Sequence, residues 1–100
     1  MKEKVYGEGG RLVWSTEEYI TYLEGKGFSF GEDMIGFIYF GKQYTKASDS
    51  LVNIAIELTL KVQKKFDGSF YVSLLETLTK NHIFTKREAE KFAREQGLFQ

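Results

Sequence analysis

Residues 52–62 read VNIAIELTLKV, and in them Val52, Ile54, Ile56, Leu58, Leu60 and Val62 alternate with Asn53, Ala55, Glu57, Thr59 and Lys61. Successive side chains of an extended chain point to opposite faces, so a period of two held this long sorts apolar from polar residues as a half-buried strand does. A helical reading competes, because Leu51, Ala55, Leu58, Val62 and Phe66 are spaced as neighbours along one helix face. That stripe leaves out Ile54, Ile56 and Leu60. The alternation therefore predicts a strand over 51–63, with Ile56 and Leu58 directed to the core and Thr59 to solvent.

Toward the N-terminus, GFSFGEDMIGFIYFGKQYTKA (27–47) is rich in aromatics and glycine. That composition favours extended chain with bends and predicts a second strand over 34–44. Toward the C-terminus, the Asp67-Gly68 pair in FDGS has the composition of a tight turn, after which SFYV (69–72) returns as a short strand. Tyr71, Leu74, Leu75 and Leu78 then take helical spacing and predict a helix over 72–81.

Two capping boxes bound the outer helices. Ser15 with Glu18, the staple pair Trp14 and Tyr19, and a stop at Gly25 predict a helix over 16–24. Thr85 with Glu88, the staple pair Phe84 and Ala89, and a stop at Gly97 predict another over 86–96, its inner face made of Ala89, Phe92 and Ala93. KVYGEGGRLVW (4–14) has the form of a short hairpin around glycines. The expected fold is α+β, one domain over residues 1–100, with an antiparallel sheet covered on one face by three helices.

A chain of 100 residues has room for one core, and 42% hydrophobic with 28% charged residues is the composition of a globular protein. Aromatic residues make up 16%, enough to hold a small core without covalent staples. With no cysteine there is neither a disulfide framework nor a thiolate metal site, and no apolar run reaches membrane-spanning length. MKEKVYGEGG lacks the apolar middle of a signal peptide. The expectation is a soluble cytoplasmic protein. Fourteen basic residues balance fourteen acidic ones, so no net field draws the chain to nucleic acid or acidic membrane.

Catalysis finds few parts. His82 is the sole histidine, which excludes a histidine-pair metal site within one chain. GEGGR (7–11) lacks the spacing and ending of a phosphate loop. Glu57 is followed two residues later by Thr59 instead of the lysine that acid-x-Lys nucleases use, and the adjacent Glu32 and Asp33 would diverge on a strand. No catalytic residue, cofactor or metal is expected.

Two segments resemble nucleic-acid-binding families. LLETLTKNHIFTKREAEKFAREQGLF (74–99) resembles the first two helices of a winged-helix or helix-turn-helix domain. The reading helix of that fold would begin near Leu98, so the resembling pair is expected to serve as a helical hairpin packed on the sheet. GFIYF (36–40) resembles the latter half of the aromatic strand motif of RNA-recognition domains, although Asp33, Met34 and Ile35 stand where that motif has a basic residue, glycine and an aromatic. The sequence thus points to a non-catalytic protein–protein interaction module whose partner is another protein or a second copy. The alternative is a small nucleic-acid-binding protein using Lys61, Lys64, Lys65, Phe37 and Tyr39, with basic groups for phosphates and rings for bases.

Overall fold

The computed structural model describes residues 5–6 and 12–98, which hold helices α1 (Thr16–Gly25), α2 (Glu32–Thr45), α3 (Asp49–Gln63), α4 (Gly68–Lys80) and α5 (Lys86–Glu95). The bundle is all-helical, which overturns the expected α+β fold and its sheet. Ahead of α1, Val5 pairs antiparallel with Val13 and Tyr6 with Leu12. Two residues a side make no packing layer, and the expected hairpin's turn at 7–11 lies outside the described residues.

The segment predicted as a strand over 51–63 is α3. Ser48 caps it, its hydroxyl accepting from the Leu51 N–H at 3.1 Å, with Asp49 in the first turn facing the positive end of the helix dipole. Lys64 ends it in the left-handed conformation, at φ 66°. Because α3 packs against all four other helices, burial runs almost round its circumference, and Lys61 is its only exposed residue. Ile54, at the edge of the Leu51–Phe66 stripe, and Ile56, about 140° round from Leu51, are both buried. A helix walled in on several sides needs no stripe, and this is how an alternating sequence becomes helical. Thr59, expected at the surface, is buried, and its hydroxyl donates to the Ala55 carbonyl at 2.7 Å.

The strand predicted over 34–44 is likewise helical, and α2 makes its most extensive pairing with α4. Gly41, read as a bend, and Gly68, read as part of a turn, are points of close approach. A Cβ on Gly41 would lie 2.8 Å from Cε2 of Tyr71, while one on Gly68 would lie 2.5 Å from the Phe37 ring. Each helix thus offers a glycine to an aromatic of the other, which lets the two axes approach. Tyr71 is fully buried and donates a 2.7 Å hydrogen bond to the Ile38 carbonyl. Burial, and to a lesser degree Tyr39, pushes its hydroxyl pKa up.

FDGS forms a helix cap instead of a hairpin. The Asp67 carboxylate accepts from the Phe70 N–H at 3.0 Å, so α4 starts at Gly68 and absorbs both the expected short strand 69–72 and the helix expected over 72–81. The outer helices follow their caps more closely. The Ser15–Glu18 box is complete, and the Trp14 and Tyr19 rings lie 6.0 Å apart. Burial, then Glu57 and Tyr22, pushes the Tyr19 hydroxyl up to about 12. The left-handed glycine that follows α1 is Gly27, at φ 102°, instead of Gly25. Thr85 accepts from the Glu88 N–H at 3.2 Å and Gly97 turns left-handed past α5, but Phe84 lies edge-on to His82, 6.2 Å away, and stays exposed. Ala89 and Ala93 are buried, and α5 lies against α3.

Candidate functional site

While Ile38 and Gly41 of α2 face inward, Phe37, Phe40 and Tyr44 face out, at exposures of 43%, 55% and 58%. Intervals of three and four residues keep all three on one stripe of the helix. Their neighbours hold them in place. Phe37 lies over Gly68, the rings of Phe40 and Tyr44 stack 5.6 Å apart at 8°, and the Tyr44 hydroxyl donates to Glu76 Oε2 at 3.2 Å. Asp33 continues the same stripe one turn before Phe37, and Lys46 stands at the left-handed C-cap. Lys42 is instead occupied by an ion pair with Asp49. Aromatic side chains already ordered in the free protein lose little entropy on docking and bury large areas, which is the chemistry of a recognition surface.

The residues proposed for nucleic-acid contact are not brought together. Lys61 Nζ lies 2.8 Å from Glu90 Oε2 and 3.3 Å from Glu57 Oε2, while Lys86 closes on Glu57 at 3.0 Å. The hydrogen bond to Glu90 raises the Lys61 pKa, and the same bond lowers that of Glu90. Lys61 thus ties α3 to α5. Lys64 and Lys65 are exposed at the turn after α3. Phe37 and Tyr39, which would share a strand face, point about 160° apart on a helix. Tyr39 is half-buried, its hydroxyl pKa raised by burial and then by Glu17 and Asp49, against Lys42. Asp49 begins α3 and Lys61 lies twelve residues further along it, a separation of about 18 Å. GFIYF therefore offers no strand platform, and among the described residues no sheet layer underlies α4 and α5.

Phe40 and Tyr44 are not among the site residues the sequence led us to expect. The 37, 40, 44 spacing marks them once the segment is taken as helical, whereas a strand reading divides them between faces. His82 is exposed, at φ 56° in the loop between α4 and α5. Among the described residues no three His, Cys, Asp or Glu side chains cluster as a metal site would require, and no helix is long and apolar enough to cross a membrane. A shallow apolar groove of about 220 Å³ runs between α4 and the end of α5, lined by Phe70, Leu74, Thr77, Phe92 and Leu98 among others.

No curated protein and no solved structure matches the chain. A family model does match, over residues 11–99, and with that coverage the chain belongs to the family of unknown function DUF6123.

Proposed function

We propose that this chain is a non-catalytic protein-interaction module of the cytoplasm that docks its partner on the outward face of α2. The observation that carries the reading is the stripe of Phe37, Phe40 and Tyr44, three exposed aromatics in register and braced by Gly68 and Glu76. Large contiguous apolar surface is costly to leave in water, and clustered aromatics serve as anchors at protein interfaces. The cysteine-free composition suits a reducing compartment.

A photo-crosslinking amino acid tests this. Benzoylphenylalanine in place of Phe40 should yield a discrete adduct in cells, and the same probe in place of Lys91, exposed on α5, should yield none. Changing Phe37 and Tyr44 to Ser should abolish the adduct. No adduct from position 40, or equal adducts from both positions, would contradict the reading.

A further inference from the structure

We infer that the partner seated on the α2 face is a second copy of this chain, with the two α2 helices antiparallel across a two-fold axis near Phe40. The inference rests on the docking face proposed above and adds the identity and orientation of its occupant. Charge is the reason. Glu32 and Asp33 are exposed in the first turn of α2, and Lys46 is exposed at its C-cap. Among the described residues none of the three is engaged in an ion pair, whereas Lys42 is paired with Asp49.

The spacing makes the face complementary to itself. Asp33 lies seven residues before Phe40 and Lys46 six residues after it. An antiparallel pair centred on Phe40 therefore sets the acidic end of each helix beside Lys46 of the other, and does so twice by symmetry. The opposed helix dipoles favour the same orientation. A parallel pair would instead set Glu32 and Asp33 against their own copies.

The apolar stripe supplies the centre of the contact. Asp33, Phe37, Phe40 and Tyr44 follow intervals of four, three and four, the a/d spacing by which two helices pack along a seam. Gly36, exposed beside that seam with nothing near its missing Cβ, leaves room for a partner ring. Three half-exposed aromatics offer on the order of 300 Å². A standard interface buries about 800 Å² per partner. The aromatic stripe alone falls short of that, so the dimer is a weak and reversible one.

Sedimentation velocity of the full chain over a concentration series provides the test, with circular dichroism to establish that each variant is folded. The unmodified chain should show a monomer–dimer equilibrium, and Phe40→Glu should leave only monomer. Asp33→Lys and Lys46→Glu should each weaken pairing about tenfold, since each sets like charges together at both ends. Combining them restores opposite charges across the two-fold, so the double variant should dimerise close to the original strength. Three results would overturn the inference: a chain that stays monomeric throughout, a dimer indifferent to Phe40→Glu, or a folded double variant no stronger than the weaker single one. A monomer that still crosslinks another protein from position 40 in cells would refute self-pairing and leave the docking face standing. A monomer that crosslinks nothing would refute both.

Discussion

The Tyr71 hydroxyl donates to the Ile38 carbonyl at 2.7 Å, and the same ring occupies the space a side chain at position 41 would need. Tyr71 thus joins α4 to the inner face of α2 by a hydrogen bond and by close packing together. The outer face is thereby set, and with it the stripe on which partner recognition is proposed to depend.

Removing only the hydroxyl, in Tyr71→Phe, should cost about 0.5–1.5 kcal/mol, the net value of a typical hydrogen bond. Gly41→Ala should cost about 1–3 kcal/mol, because the ring it meets is walled in and overpacking outweighs the helix propensity gained. Gly36→Ala meets open space and should instead stabilise by about 0.5–1 kcal/mol. Urea unfolding at low protein concentration measures all three, and equal effects at positions 36 and 41 would contradict the packing described.

Thr59 separates the helical from the extended reading of the central segment. Buried among its neighbours, it should tolerate Thr59→Val at a cost of about 1 kcal/mol or less. Thr59→Lys strands a charge in the core and should cost about 3–5 kcal/mol, enough to unfold a marginal domain. A Thr59→Lys variant as stable as the original, by thermal unfolding, would mean the residue faces water.

Local signals survive the passage from sequence to structure better than periodic ones. Ser15 with Glu18 and Thr85 with its Glu88 contact mark helix starts, since capping depends on residues a few positions apart. The 51–63 segment misleads because a two-residue period implies one wet face, whereas α3 is enclosed by four helices that no local pattern reveals. Ser48, which caps it, is the local clue to a helix there. Gly36 and Gly41 give α2 the look of a bent strand, although Gly41 is glycine because of Tyr71, thirty residues away. The candidate site inherits the error. Phe37 is among the expected site residues and is on the stripe, but Tyr39, two positions on in sequence, turns inward.

The Lys61–Glu90 pair gives the α3–α5 contact a pH dependence. Glu90 is held below its usual pKa, so its contribution is complete above the ordinary carboxylate range and is lost as pH falls through the lowered value. Lys61 is held above its usual pKa, so its contribution is complete below the ordinary lysine value and is lost as pH rises through the raised one. Both groups are partly exposed, and solvent screening limits the pair to about 0.2–1 kcal/mol at neutral pH. Lys61→Met should flatten the acid limb of a stability–pH curve by that amount. An unchanged limb would show that the pair does not form.

Nucleic acid should not be the ligand. Phosphate binding releases counterions, so a true nucleic-acid protein loses affinity steeply with salt, with a slope reduced by about 0.9 for each duplex contact removed. Fluorescence anisotropy with short labelled DNA and RNA at physiological salt should show no such binding. Sub-micromolar affinity abolished by reversing charge at Lys61, Lys64 and Lys65 would contradict the protein-recognition reading.

The most direct measurement is a dilution series by heteronuclear NMR on the isotope-labelled chain. As the protein is diluted from millimolar to low micromolar concentration, amide shifts should be confined to α2 and its C-cap, residues 32–46, following one binding curve and absent in Phe40→Glu. Shifts centred on α5 or the 64–65 turn, or spectra that do not change with concentration, would contradict self-recognition through the aromatic face of α2.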